Sequence, residues 1–184
     1  MSTVRFKTIV RWYNQHVSRK IKKAKMKMSK ILFTGFKGKN NFSGILVKRL
    51  SDESFLLTNS FEGVRRDIGS LNEEYDLLIM FGVDKTLTSE IRIEKTASKN
   101  GETLVSDADL KRLVKKFESA GISASISDEP TVYLCNEAYW YALEKFSGRA
   151  VFIHIPTIKN MDDKLIEKTE EAVRCFLEGC ENGK

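Results

Sequence analysis

YDLLIMFG, residues 75–82, carries an apolar run bounded by polar residues. A strand with one wet face alternates apolar and polar side chains. This one does not, so it predicts a strand covered on both faces, at the centre of a sheet. Reading outward towards the N-terminus, residues 55–58 make a short strand, and residues 31–34 another that Gly35 cuts off. Between them Ile45, Leu46, Arg49 and Leu50 repeat at helical spacing behind Ser43, a predicted cap. Towards the C-terminus, EIRIEKTA (residues 90–97) alternates as a strand. A helix over 107–120 carries Leu110, Leu113, Val114 and Phe117 on one stripe and stops at Gly121. A strand (122–127), a helix (131–146) behind Pro130, a strand (150–155) and a terminal helix (162–179) complete the series. This rhythm of short apolar runs and helical stretches predicts an α/β fold with a largely parallel sheet.

The chain has 184 residues, 41% of them hydrophobic and 30% charged, with 2 Pro and 11 Gly, which excludes collagen-like, Pro-rich and globally disordered classes. One compact domain over residues 30–184 accounts for the length. No apolar run reaches the roughly eighteen residues that a membrane helix needs. The three cysteines, Cys135, Cys175 and Cys180, are an odd number in a chain long enough to bury its own core. That favours a reducing compartment, the cytoplasm by default, with no disulfide partner.

The net charge of +6 is unevenly spread. Residues 1–29 with Lys30 hold ten basic residues and no acid, and the rest carry 21 basic against 25 acidic residues, a net of −4. Phe6, Ile9, Val10, Tyr13, Val17 and Ile21 would share one helical face, so this basic extension reads as helical or disordered. A solvated extension, or translation from a start upstream of Met26 and Met28, which stand just before the first strand, is the plainer reading. Contact with nucleic acid or a membrane surface, if any, is expected through this leader alone.

Two histidines are present, His16 in the leader and His154 near the end of the strand AVFIHI. In open α/β sheets ligands bind beyond the carboxyl ends of strands, which makes His154 a candidate; a structural histidine at a strand end is the alternative. Cys135, in TVYLCNEAYWYAL, stands near the start of a helix. There N–H groups and the helix dipole would lower a thiol pKa and favour a nucleophile; a buried helical cysteine is the alternative. Cys175 and Cys180 read as structural or exposed. Neither a zinc spacing nor a P-loop or dinucleotide fingerprint is present.

SISDEPTVYLCNEAYW, followed by FIHIP, resembles the nucleophile and histidine segments of the pyroglutamyl peptidase I family, also known as pyrrolidone-carboxylate peptidases. Ser127, Tyr133, Leu134, Cys135 and Asn136 match the first segment, and Phe152, Ile153, His154, Ile155 and Pro156 the second. The family's strand Glu, in Ile-x-x-Glu-Arg-x-Ala, corresponds to Glu94, with Glu90 as rival. KILFTGF resembles the family's first strand, so the resemblance spans most of residues 30–177. It implies a three-layer α/β/α sandwich around a twisted, mostly parallel mixed sheet. It also implies a cysteine peptidase that removes an N-terminal pyroglutamyl residue through Cys135, His154 and Glu94. The expected substrate is a peptide with a blocked N-terminus; no cofactor and no metal are expected, and a homo-oligomer is conceivable on the resemblance.

The chain departs from the family pattern mainly around the substrate. Lys37-Gly38-Lys39-Asn40 stands where the family has Pro-Phe-Gly-Gly, leaving Phe36 and Phe42, with Leu134, as expected contacts for the pyrrolidone ring. VDKTLTSE replaces a Gly/Ala-rich segment beyond Gly82. A catalytically silent relative that binds a peptide or small metabolite is the alternative function.

Overall fold

A computed structural model describes residues 30–179 apart from Val132. The leader expectations, with His16, and the reading of Cys180 fall outside the described residues. The chain runs β1 (Ile31–Phe36), α1 (Phe42–Leu50), β2 (Ser54–Leu57), α2 (Phe61–Gly69), β3 (Leu77–Val83) and β4 (Ile91–Glu94). It continues through β5 (Thr96–Lys99), β6 (Glu102–Val105), α3 (Leu110–Ser119), β7 (Ala124–Ser127), α4 (Leu134–Lys145), β8 (Ala150–Ile155) and α5 (Asp163–Glu178).

Six strands form one sheet in the order β2-β1-β3-β8-β4-β7, and β5 pairs with β6 in a separate hairpin. All neighbours in the six-stranded sheet are parallel except β4 and β8. The apolar run that predicted a central strand is β3, which with β8 forms the middle of the sheet. Its Leu78, Ile79, Met80 and Phe81 are fully buried, as two covered faces require.

One face carries α1, α3 and α5, whose Leu46, Val47, Leu113, Phe117, Val173 and Phe176 pack with Ile79, Ile93 and Ile153. The other carries α2 and α4, whose Val64, Ile68, Tyr139 and Leu143 pack with Met80, Phe152 and the hairpin's Ala97. The result is the expected three-layer arrangement. No helix among the described residues is long and apolar enough to cross a membrane.

Three local features differ from expectation. The cap of α1 is Asn41, whose Oδ1 accepts from the Ser43 N–H at 3.1 Å and from its hydroxyl at 2.8 Å. Ser43 instead turns inward and accepts from the Phe36 N–H at 3.0 Å, closing the β1–α1 turn. Residues 90–97 are two strands rather than one: the chain leaves the sheet after Glu94, and β5 turns back at Asn100 and Gly101, both at positive φ. Helix α2 was not read from the sequence, because its inward residues are only Val64, Asp67 and Ile68 besides Gly63.

Candidate active site

Period-two alternation sets the site. Gly82 of β3 is in register with His154 of β8, and His154 with Arg92 of β4, so these three share one row on one face. The next row holds Met80, Phe152 and Glu94. Because β4 runs against β8, Glu94 lies diagonally across from His154, within reach of a long side chain. Glu94 Oε1 lies 2.7 Å from His154 Nδ1, and both residues are 4% exposed. The same Oε1 accepts from Arg92 Nε at 3.0 Å, and Arg92 Nη2 donates to Asp84. Asp84 is fixed in turn by the Thr86 N–H at 2.8 Å and the Thr86 hydroxyl at 2.7 Å.

Cys135 is the second residue of α4, which has no side-chain hydrogen bond at its cap, Tyr133. A Cβ built on Gly82 would fall 3.0 Å from Cys135 Sγ and 2.7 Å from the Phe152 ring. The sulfur thus rests over the one position in the row that has no side chain, beside His154. Cys135 and His154 together line a cleft of about 600 Å³ with Val83, Asp84, Lys85, Thr86, Arg92, Thr131 and Tyr133. They also line a small inner pocket with Glu94, Asn136 and Tyr139.

Burial is the largest influence on Glu94 and favours its neutral form. The hydrogen bonds and charges of His154 and Arg92 outweigh it and hold the carboxyl below its ordinary value. For Cys135 burial wins: the thiol is pushed up to about 12, with Glu94 and Asp84 adding to the effect and Arg92 opposing it. The sequence expectation of a lowered thiol is therefore corrected: burial, with the charges of Glu94 and Asp84, pushes it up.

The structure brings Cys135, His154 and Glu94 to one place from α4, β8 and β4. Glu90 is elsewhere, its carboxylate accepting from the Ser89 N–H and the Thr88 hydroxyl, each at 3.0 Å. Phe36 is buried against Phe152, with ring centroids 6.4 Å apart, and Phe42 is buried on the opposite side of the sheet. Neither lines the cleft, since both are consumed by core packing. Leu134 is half-buried against the α4 face of the core. The cleft's exposed aromatic is Tyr133, 72% accessible. Its charged wall of Asp84 and Arg92 was missed by sequence reading, although Arg92 falls two residues before Glu94 on the same strand face.

A family model described as pyroglutamyl peptidase matches residues 83–177. The chain belongs to that family. Membership places it among peptidases. The matched segment contains the cleft's β4, α4 and β8 and begins only at the last residue of β3. Solved structures agree on the fold. Pyroglutamyl peptidase I of Bacillus amyloliquefaciens has a TM-score of 0.68 at 20% identity, over 82% of this chain and 95% of that one. Pyrrolidone carboxyl peptidase of Thermococcus litoralis has a TM-score of 0.67 at 20% identity, over 85% and 99%. The E192I mutant of pyrrolidone carboxyl peptidase from Pyrococcus furiosus has 0.66 at 24% identity, over 81% and 96%. Curated protein sequences offer no match.

Proposed function

We propose that this chain is a cysteine exopeptidase that removes an N-terminal pyroglutamyl or closely related acyl residue from peptides, with Cys135 as nucleophile, His154 as base and Glu94 as its orienting carboxylate. The observation that carries this reading is the buried Glu94–His154 pair at 2.7 Å, adjoining a sulfur that faces the same open cleft. A thiol this buried is almost wholly protonated at neutral pH, so the nucleophile depends on a neighbouring base.

With Nδ1 protonated and bonded to Glu94, His154 keeps the lone pair of Nε2 for the Cys135 proton. The sulfur forms a bond to the pyroglutamyl carbonyl carbon, and the carbonyl oxygen takes the negative charge. N–H groups at the uncapped start of α4 are suited to meet that charge, at about 3 kcal/mol per donor. As the tetrahedral intermediate collapses, the C–N bond breaks and the imidazolium returns its proton to the leaving amine. Water, deprotonated by His154, then cleaves the thioester and restores the thiol.

Tyr133, Val83 and Thr131 offer the flat and apolar part of the cleft, whereas Asp84, Lys85 and Arg92 give it a charged rim. That rim is the feature that would let the cleft accept a related, charged acyl group beside pyroglutamate. A fluorogenic pyroglutamyl amide decides the matter: turnover abolished by Cys135→Ala and by iodoacetamide is expected. Alkylation of Cys135 without turnover indicates a different acyl group. Absence of both overturns the peptidase reading in favour of a silent relative that binds a peptide or metabolite.

A further inference from the structure

We propose that Arg92 is a positioning residue that keeps Glu94 ionised and thereby holds His154 in the tautomer with its proton on Nδ1; the proposal rests on the reading of His154 as the base.

Glu94 Oε1 takes both His154 Nδ1 and Arg92 Nε, while Glu94 Oε2 has no hydrogen-bond partner among the described residues. All local support for the carboxylate therefore reaches it through one oxygen. Among the groups around it, His154 approaches from β8, Arg92 shares β4, Asp84 follows β3, and Cys135 and Tyr139 belong to α4. Lys85 lines the outer cleft. Of these, Arg92 is the permanently charged cation in contact with Glu94, its Nε 3.0 Å from Oε1.

Arg92 is itself held from two sides. Its Nε is spent on Glu94 and its Nη2 on Asp84, and Asp84 is locked by Thr86. Cross-strand register sets it directly opposite His154. The guanidinium is thus placed by the backbone and by a fixed carboxylate rather than by Glu94 alone.

The consequence follows from proton counting. A neutral imidazole has one ring proton. If Glu94 is ionised it can only accept, so that proton must sit on Nδ1 and Nε2 is free to take the thiol proton. If Glu94 is protonated it can donate to Nδ1, the ring proton moves to Nε2, and the acceptor needed by Cys135 is lost. Removing Arg92 leaves a buried carboxylate with less compensation, which favours the protonated form.

Nitrogen NMR of the imidazole in the labelled full chain, recorded from pH 5 to 9, reads the tautomer directly. The wild type is expected to keep the Nδ1 proton throughout the neutral range. Arg92→Ala is expected to show a neutral imidazole population with Nε2 protonated and Nδ1 bare, distinct from the imidazolium that carries both protons, and a Glu94 carboxyl that titrates higher than in the wild type. Arg92→Lys should restore most of the wild-type behaviour. Arg92→Gln keeps bulk and a donor without charge, should behave as Arg92→Ala, and replaces it if the alanine variant does not fold. An unchanged tautomer and titration in a folded neutral variant overturns the role of Arg92. Turnover of a pyroglutamyl amide scores the peptidase reading separately. A tautomer shift without wild-type turnover removes the pyroglutamyl specificity and keeps Arg92, and turnover without a shift does the reverse.

Discussion

His154 and Glu94 meet on adjacent antiparallel strands, with Nδ1 2.7 Å from Oε1 and both side chains out of solvent. A contact this well buried fixes ring orientation as well as charge. Glu94→Gln retains the shape and the neutral size but can donate an amide proton to Nδ1, which selects the wrong tautomer. We expect kcat for a pyroglutamyl amide to fall by about 10³- to 10⁴-fold with little change in KM. A fall of less than tenfold in a folded variant would remove Glu94 from the relay.

The thiol supplies a second test. With its pKa pushed up to about 12, unassisted Cys135 has a vanishing thiolate fraction at pH 7. Iodoacetamide should nevertheless label the wild type readily, because His154 takes the proton. In His154→Ala the rate at pH 7.5 should drop by at least about a hundredfold, then rise about tenfold per pH unit as pH approaches that value. Mass spectrometry of the alkylated Cys135 peptide gives the rates. Equal labelling of both proteins would sink the base assignment.

How far these relations were legible in the sequence differs by element. The apolar run of β3 and the AVFIHI strand declared themselves because burial on both faces leaves no polar alternation. Cys135 and His154 could be singled out from their places at a helix start and a strand end. Glu94 could be matched only through the family motif, since its partner lies 60 residues away and no local pattern encodes a diagonal contact. Arg92 looked like an ordinary polar position on an alternating strand. The β5–β6 hairpin was signalled by Asn100-Gly101, both at positive φ, which is the strongest short-range turn signal for paired strands. It was hidden because the alternation of Ile91 and Ile93 was carried on through Ala97, although Lys95 breaks the pattern where β5 departs from the sheet. Phe36 and Phe42 show the opposite failure: aromatics near a motif read as ring contacts, yet both were needed to fill the core.

Asp67 gives a prediction about acid stability. It is buried at the end of α2, where Oδ2 accepts from the Thr58 N–H at 2.7 Å and Oδ1 from Arg66 Nη2 at 2.8 Å. Burial alone would raise its pKa, but the bonds from Thr58 and Arg66 prevail and hold it below the ordinary 3.8. A lowered folded pKa means the stabilisation is complete above about pH 4 and is lost as pH falls through the folded value. Asp67→Asn should therefore destabilise the chain by about 1–3 kcal/mol at pH 7 in urea titrations. The difference from wild type should shrink below pH 3.8. A gap that stays constant to pH 2.5 would contradict the assignment.

The absence of a side chain at residue 82 links the core to the chemistry. Gly82 lies between the Phe152 ring and the sulfur of Cys135, and an added methyl would sit 2.7 Å from the first and 3.0 Å from the second. The ring cannot yield easily, because Phe152 is fully buried and packs on Tyr139 at 5.6 Å and on His154 at 4.9 Å between centroids. The start of α4 is the softer side, so the sulfur should be displaced from His154. We expect Gly82→Ala to cost about 1–3 kcal/mol of stability and to lower both the turnover of a pyroglutamyl amide and the alkylation rate of Cys135. Gly69→Ala is the control, since a methyl there meets nothing within 4 Å, and it should leave both rates unchanged. If Gly82→Ala loses stability yet alkylates at the wild-type rate, the strain has gone into the Phe152 layer, and the seating of the sulfur over Gly82 is not what aligns it with the imidazole.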